Sequence, residues 1–411
     1  MKFMVILGDG MADYKLKELG DKTPLQYAQT PNLDHLARIG TMGLAKTVPS
    51  GMHPGSDIAN LSVLGYDPHR YYTGRSPLEA VSLGIAMEPT DIAFRCNLVT
   101  LSDEVKFSDK TMVDYSSDEI STAESAVLIQ AINQQLGTNK FVFYPGISYR
   151  HVLIWKDGLL DFDLTPPHDI SERKITEYLP KGDQSKILLD LMVESNRLLA
   201  GHPINQERIS NGHRPANSIW LWGQGKKPAF PAFKDQYGLN GSVVCAVDLI
   251  KGLGIGAGLK AVAVPGATGG TVTNMLGKAQ AALEQLKQGQ DFVYLHIEAP
   301  DEAGHRGELD TKIKAIEEID AKVVGVILQG LEESRELPGM EDYCLLILPD
   351  HPTPISTRTH ASDAVPFLIY RRSQPQENGA VRYNEDSAQL SGLRFEAGHQ
   401  LMEYFINLGK R

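Results

Sequence analysis

Cysteine is scarce in this chain: Cys96, Cys245 and Cys344 are the only three among 411 residues. Odd in number and far apart, they make no disulfide framework. Cys245 and Cys344 lie in apolar runs that predict core strands, so these are expected to be reduced, buried thiols of a cytoplasmic protein. Long hydrophobic runs are missing too. No segment approaches the roughly 20 apolar residues that span a bilayer, and the opening run Phe3 to Leu7 is too short for a signal peptide and ends at Asp9. No membrane is expected as a partner. Basic clusters are also lacking: 40 Lys and Arg stand against 51 Asp and Glu, for a formal net charge of -11. A phosphate backbone would be repelled, which excludes nucleic acid as the expected partner. There is no Gly-x4-Gly-Lys-Ser/Thr loop, and Gly225-Lys226-Lys227-Pro228 cannot serve as one. Gly252-Leu253-Gly254-Ile255-Gly256-Ala257 loosely matches a dinucleotide turn, but the helix-like Asp248-Leu249-Ile250-Lys251 separates it from its strand, so NAD is not implied. Internal repeats and long low-complexity segments are absent.

What is present is the composition of a globular protein, 42% hydrophobic and 22% charged, in a chain long enough for two domains. An acidic protein that handles anionic substrates must gather its positive potential, metals and a few arginines, in one cleft. The chain opens on a strand that leads through Gly8-Asp9-Gly10 to a short amphipathic helix with Thr30 as N-cap, Pro31 at the first helical position and Gly40 as terminator. After the turn formers of Thr47 to Pro54, Gly55-Ser56-Asp57 precedes another helix start.

From about Asp91 the character changes. Strands at Ala93 to Leu101, Lys140 to Tyr144 and Tyr149 to Trp155, with helices at Ser116 to Leu136 and Gln184 to Leu199, predict a compact α+β unit. Beyond Gly212 a strand-helix rhythm resumes, with strands at Ser218 to Trp222, Val243 to Val247, Ala261 to Val264, Phe292 to Leu295, Tyr343 to Leu348 and Pro366 to Tyr370. Between them a helix from Leu309 to Leu328 carries Ile313, Ile316, Ile319, Val323 and Val326 on one stripe. The expected fold class is α/β, a doubly wound core formed by residues 1–85 and 216–411, with an α+β domain, 86–215, inserted into it and a cleft between the two.

Four separated segments end in residues suited to a divalent metal: Asp9, the pair Asp301 and His305, the pair Asp350 and His351, and His360. Three of them follow short apolar runs. In an open α/β sheet ligands sit beyond the carboxyl ends of the strands, so three strand-end aspartates are expected on one rim. Asp301 and His305 stand four apart, on one side of a helical turn. Each feature also has a plainer reading, as a turn aspartate, a capping carboxylate or a loop histidine. The shared strand-end placement favours the metal reading. A pair of ions about 4 Å apart needs a nucleophilic hydroxyl as well, and Ser56, at a helix N-terminus where N–H groups and the helix dipole favour phosphate, is the best candidate. Its plain alternative is an ordinary N-cap.

At Gly8-Asp9-Gly10, Thr30-Pro31-Asn32-Leu33-Asp34, Gly55-Ser56-Asp57-Ile58-Ala59-Asn60-Leu61-Ser62-Val63-Leu64-Gly65-Tyr66-Asp67-Pro68, Arg214-Pro215-Ala216-Asn217, Pro265-Gly266-Ala267-Thr268-Gly269, Asp301-Glu302-Ala303-Gly304-His305, and Asp350-His351-Pro352-Thr353-Pro354 with His360, the chain resembles the cofactor-independent phosphoglycerate mutases of the archaeal type, within the alkaline phosphatase-like metalloenzymes. The resemblance runs essentially from end to end. It implies two divalent metal ions, typically manganese, with zinc, cobalt and magnesium as the other ions the donor set would accept. Asp9, Ser56, Asp350 and His351 would gather around one ion and Asp301, His305 and His360 around the other. It further implies that Ser56 takes a phosphoryl group from a phosphoglycerate and returns it to the other hydroxyl, with no bisphosphoglycerate required.

The substrate, a small phosphorylated carboxylic acid, calls for planar multidentate donors. Arg214, Arg75, Arg150, His151 and His168 are the candidates, each with a surface ion pair as its alternative. Two rival functions stay open here: the same phosphoserine chemistry on another acceptor (homoserine kinase-like, on a pentose, or a phosphohydrolase), and a catalytically dead regulatory relative. All matched metal and nucleophile positions are filled, which disfavours the second.

Overall fold

In the computed structural model, which describes residues 1–410, the run Lys2–Gly8 forms β1 and is buried at every position. Such a run, without alternation, is what a strand covered on both faces requires. Twelve further strands follow among the described residues: β2 (Thr41–Ala45), β3 (Ile92–Leu101), β4 (Met112–Asp114), β5 (Phe141–Ile147), β6 (Arg150–Trp155), β7 (Ser218–Lys226), β8 (Gly241–Val244), β9 (Lys260–Val262), β10 (Phe292–Ile297), β11 (Tyr343–Leu348), β12 (Val365–Arg371) and β13 (Arg394–Phe395). They make an eight-stranded sheet in the order β13-β2-β12-β11-β1-β10-β8-β9 and a five-stranded sheet in which β3 pairs with β4, β6 and β7, and β6 with β5. The stretch β11-β1-β10-β8-β9 is parallel throughout. Helices supply the apolar cover, among them Leu33, Leu36 and Ala37 of Pro31–Ile39 and Ala279, Ala282, Leu283 and Leu286 of Met275–Lys287. This is the doubly wound α/β core.

The chain divides into two units, Met1–Tyr72 with Ala229–Arg411, and Thr73–Pro228. The divisions lie outside the expected 85/86 and 215/216. The reason is β7, which the strand-helix rhythm assigned to the core. It pairs antiparallel with β3 from Ile92 opposite Lys226 to Val99 opposite Ser218. Thr73 and Lys226 close this unit where the chain enters and leaves it, through Thr73 Oγ1 donating to the Lys226 carbonyl at 2.8 Å and Lys226 N–H to the Thr73 carbonyl at 3.2 Å. The smaller unit has its own core, with Phe94, Leu98, Leu153 and Trp220 against Leu128, Ile132, Leu188 and Met192 of the helices Thr122–Leu136 and Lys186–Ala200. It is the α+β unit expected from the sequence, with β7 and the short β4 added.

Two local readings need correction. Thr30 precedes the helix Pro31–Ile39, but its side chain makes no capping hydrogen bond. The cap is supplied from far along the chain: buried Asp320 accepts from Leu33 N at 2.7 Å, Asn32 N at 3.2 Å and Asn32 Nδ2 at 2.9 Å. Nor is Leu309 to Leu328 one regular helix. A π-helical stretch, Ile319–Val324, interrupts it between Leu309–Glu318 and Gly325–Glu333. The wider turn rotates the residues that follow, so after Val323 the fully buried position is Ile327, while Val326 is only partly covered. The Gly252 run lies inside the helix Asp248–Gly256, away from any strand-to-helix turn. No helix among the described residues is long and apolar enough to cross a membrane.

Replacing Asp320 tests the remote cap. Asp320→Ala leaves buried N–H groups unsatisfied and is expected to lower the unfolding free energy by roughly 1–3 kcal/mol in urea titration. An unchanged midpoint and slope would show that the carboxylate contributes nothing there.

Candidate active site

Because β11, β1 and β10 are parallel neighbours, with Leu7 opposite both Leu348 and His296, their carboxyl ends come out side by side. Asp9 is the first residue past β1, Asp350 lies two past β11, and Asp301 is in the first turn of the helix Ala299–Arg306 that follows β10. The packing leaves no slack. A Cβ on Gly10, whose φ is +61°, would sit 2.7 Å from both Cα and Oδ1 of Asp301, so only glycine lets the chain turn here. Gly10 N–H and His351 N–H donate to Asp350 Oδ1 at 3.2 and 2.9 Å. Asp9 is buried, and burial, with the neighbouring charges of Asp350 and Asp301, raises its pKa well above the ordinary carboxylate value. Its Oδ1 has no hydrogen-bond partner.

The imidazoles are arranged as ligands would be. His305 Nδ1 faces the Arg358 carbonyl at 3.0 Å and His360 Nδ1 faces the Pro54 carbonyl at 3.3 Å. A carbonyl only accepts, so each Nδ1 carries the proton and each Nε2 of a neutral ring presents a lone pair. Those two Nε2 atoms are 2.9 Å apart, and they lie 3.4 and 3.5 Å from the two oxygens of Asp301. Lone pairs converging at that distance require a proton or a cation among them. Burial works against ionised Asp301, but hydrogen bonds from His305 and His360 outweigh it and hold its pKa well below the usual range. Its hydrogen bond to Asp301, partly offset by burial, raises His305 to about 8.

Ser56 opens the helix Ser56–Val63, and its Oγ is 3.1 Å from His351 Nε2. The same Nε2 lies 3.6 Å from Asp9 Oδ1 and 3.4 Å from Asp350 Oδ2. Three sets of side chains have ligand atoms within 4.8 Å of one another: Asp301, His305 and His360; Asp9, Asp301 and His351; and Asp9, His296 and Asp350. An unpartnered buried carboxylate oxygen, facing lone pairs and an all-oxygen-and-nitrogen donor set fit a divalent metal. All seven residues expected as metal ligands or nucleophile thus come together in the larger unit.

The substrate candidates all lie in the smaller unit. Arg75 bonds Glu79 Oε1 through Nε at 3.2 Å, and buried Arg95, which the sequence reading did not single out, shares that same oxygen. His151 is buried on β6; its Nδ1 accepts from Gly146 N at 3.0 Å, so Nε2 carries the proton, and Nε2 has no partner. Burial, with Arg95 and Arg150 nearby, pushes His151 down to about 3. Exposed Arg150 stacks its guanidinium over Tyr149. His168 sits 3.4 Å from Asp169 and edge-on to Tyr115 and Trp222. Arg214, half exposed, is engaged by Asp114 at 3.1 Å and Asp118 at 3.7 Å.

Residues 37–205 match the family model described as 2,3-bisphosphoglycerate-independent phosphoglycerate mutase. A Geobacter sulfurreducens protein named as a probable member of that family is 50% identical over 407 residues, covering 99% of this chain and all of its own. The Methanosarcina barkeri 2,3-bisphosphoglycerate-independent phosphoglycerate mutase is also 50% identical, with 96% of each chain covered. The chain belongs to the 2,3-bisphosphoglycerate-independent phosphoglycerate mutases. Solved structures agree: a Pyrococcus horikoshii protein superposes with a TM-score of 0.80 at 30% identity, covering 99% of this chain and 97% of its own. The cofactor-independent phosphoglycerate mutase of Thermoplasma acidophilum gives 0.65 at 27%, covering 99% and 100%.

In this member of the family the supporting residues are those the sequence reading missed. Asn60 Nδ2 donates to Asp350 Oδ2 at 2.7 Å and to the Ser56 carbonyl at 2.8 Å, while Tyr294 OH donates to Asn60 Oδ1 at 2.6 Å. Asn60 stands four residues after Ser56 on the same helix, a spacing that could have flagged it. Buried Lys312 donates to the Ala12 and Thr353 carbonyls at 3.3 and 2.8 Å and to Asp13 at 2.7 Å, pinning the loops that follow Asp9 and His351. His296, inside an apolar strand, contacts Asp9 and Glu298; burial opposes its charge, but those carboxylates prevail and raise it to about 10.

Glu385 braces the loop after Asp9 by accepting from Asp13 N at 3.3 Å and Thr23 Oγ1 at 2.7 Å. Burial of its carboxyl outweighs those bonds and raises it from 4.5 to about 7. The folded state therefore holds this proton more tightly than the unfolded chain, a contribution complete below about pH 4.5 and lost as pH rises through 7. Between about pH 5 and 8 the native protein is expected to lose roughly 2–3 kcal/mol more stability than Glu385→Gln, followed by urea unfolding at each pH. Parallel profiles for the two proteins would contradict the assignment.

Proposed function

We propose that this protein interconverts 3-phosphoglycerate and 2-phosphoglycerate through a phosphorylated Ser56, with no bisphosphoglycerate cofactor. The observation that carries the reading is the Ser56 hydroxyl, 3.1 Å from His351 Nε2 within a cluster of three carboxylates and four imidazoles, in a chain of this family. Asp9, Ser56, Asp350 and His351 would hold one divalent cation and Asp301, His305 and His360 a second; these oxygen and nitrogen donors fit manganese, and would also accept zinc, cobalt or magnesium. Bound cations would supply positive charge that offsets the phosphoryl oxygens and acidifies the serine hydroxyl.

The protein's own residues do the rest. Ser56 Oγ gives up its proton and forms a bond to phosphorus as the bond between phosphorus and the substrate oxygen breaks, and the departing oxygen takes up a proton to become a hydroxyl. In the reverse half the phosphoryl group leaves Ser56 for the other hydroxyl of the same glycerate, so nothing is gained or lost overall. The N-terminus of the helix Ser56–Val63 favours the incoming phosphate dianion. Asn60 keeps Ser56 and Asp350 in register through its two hydrogen bonds.

Among the candidates for binding the substrate's anionic groups, His151 is the best furnished, since a buried N–H without a partner is costly unless a ligand accepts from it. Arg75, Arg150 and His168 would assist. Arg214 contributes least, since Asp114 and Asp118 already engage its guanidinium. A small phosphorylated acid as substrate and three free thiols support a cytoplasmic, glycolytic role.

Purified, manganese-loaded protein given 3-phosphoglycerate alone is expected to yield 2-phosphoglycerate. Product only when homoserine and ATP are supplied would overturn the mutase reading in favour of a related phosphotransferase. Ser56→Ala should abolish turnover while metal binding persists. An unchanged rate in that variant would remove Ser56 from the chemistry.

A further inference from the structure

An amide ties the helix of the nucleophile to the sheet, and a phenol holds that amide in turn. Asn60 is fully buried, with Nδ2 donating to the Ser56 carbonyl at 2.8 Å and to Asp350 Oδ2 at 2.7 Å, and its Oδ1 accepts from the hydroxyl of fully buried Tyr294 at 2.6 Å. Tyr294 lies in the middle of β10, opposite Val5 of β1 and Val243 of β8, and Val5 lies opposite Leu346 of β11. The phenol therefore comes from the strand on one side of β1, and Asp350 from beyond the strand on its other side. Both hold the same amide.

Chemistry fixes the direction of each bond. A main-chain carbonyl only accepts, so the NH2 group of Asn60 must face Ser56. Its Oδ1 is then left toward Tyr294, and an amide oxygen can take only a donated hydrogen. This holds whatever the charge on Asp350. Packing alone does not explain the pair, because two apolar side chains of the same shape would leave stability nearly unchanged. What the polar pair adds is orientation. With its oxygen held by the phenol, the amide keeps its N–H groups on the residue whose Oγ lies 3.1 Å from His351 Nε2.

We infer that Tyr294 is a positioning residue for Ser56: its hydroxyl sets the orientation of Asn60, and Asn60 holds the first turn of the helix Ser56–Val63 so that the serine hydroxyl stands beside His351. This rests on the reading of Ser56 as the nucleophile and adds to it a support that reaches across from the sheet. The contending role is that of a buried tyrosine whose hydroxyl merely finds a partner.

Tyr294→Phe, Asn60→Leu and the double variant test it against the wild type in two measurements. One is the steady-state rate of the manganese-loaded full chain on 3-phosphoglycerate. The other is backbone hydrogen exchange by mass spectrometry, without substrate, over residues 56–63 and over β1 and β11. Phenylalanine keeps the ring and removes only the hydroxyl. Since leaving one buried acceptor without its donor corresponds to about a tenfold effect, Tyr294→Phe is expected to lower kcat about tenfold with KM within about twofold. Exchange in residues 56–63 should quicken while β1 and β11 keep their wild-type rates. Adding Tyr294→Phe to Asn60→Leu should change neither quantity further, because the phenol acts through the amide. Should Asn60→Leu fail to fold, Tyr294→Phe alone carries both readouts. Wild-type kcat in Tyr294→Phe would overturn the inference, as would wild-type exchange in residues 56–63. An equal fall in kcat with and without Asn60 would overturn it too, and exchange quickened everywhere alike would mark Tyr294 as purely structural. A wild type that makes no 2-phosphoglycerate would sink the proposed function, and the exchange comparison would still decide whether the phenol holds this helix.

Discussion

Mutual repulsion among Asp9, Asp301 and Asp350 is the constraint around which the larger unit is organised. Three parallel neighbours, β11, β1 and β10, end at one place, and each is followed within a few residues by a carboxylate. Two such charges about 4 Å apart repel by roughly 4 kcal/mol at an effective dielectric near 20. Everything close by answers that repulsion. Backbone N–H groups of Gly10 and His351 and the Asn60 amide serve Asp350, the imidazoles of His305 and His360 serve Asp301, and for Asp9 there is only the ring of His296, 3.2 Å away and without a hydrogen bond to it. The raised pKa of Asp9 marks where the compensation is least complete.

Compensation of that kind works only at close range, which ties the fold to the site. Gly10 has no room for a Cβ because Asp301 is packed against it. Lys312 reaches the backbone of both the Asp9 loop and the His351 loop from the helix Leu309–Glu318, so a shift of that helix would move two ligand loops together. The π-helical stretch follows directly, and its Asp320 caps the helix Pro31–Ile39.

The strand-end aspartates and their histidines were legible because a carboxylate after an apolar run is a conspicuous break in pattern, and Asp301 and His305 show helical spacing. His296 was hidden for the opposite reason. A single histidine within Phe292–Ile297 looks like part of a buried strand, and its contacts with Asp9 and Glu298 exist only in the folded chain. Asn60 was likewise masked among the apolar residues of its helix. The strand at Ser218 to Trp222 was found, but its partner was not, since nothing local there distinguishes pairing with β3 from pairing in the parallel sheet. Thr30 has the right residue type for a cap, yet Asp320, almost 300 positions away, takes the bond. In each miss a long-range contact decided between local readings of equal merit.

The two halves of the cluster differ in how they are balanced, and Ser56 stands where they meet. Asp9, Asp350 and His351 are sealed from solvent, with protein donors around them, whereas Asp301, His305 and His360 are partly exposed and face chiefly one another. Negative charge in the sealed half is therefore largely met by the fold, and the convergence of lone pairs in the open half is left to whatever enters. The rings of His351 and His360 lie 4.1 Å apart, joining the halves, and the Pro54 carbonyl that orients His360 is two residues before Ser56. One loop thus fixes both a partly exposed imidazole of the cluster and the hydroxyl. A half-buried serine at that junction is open to an incoming phosphate on one side while its other side rests on donors the protein has already set in place, the arrangement that electrostatic preorganisation of a phosphoryl transfer requires.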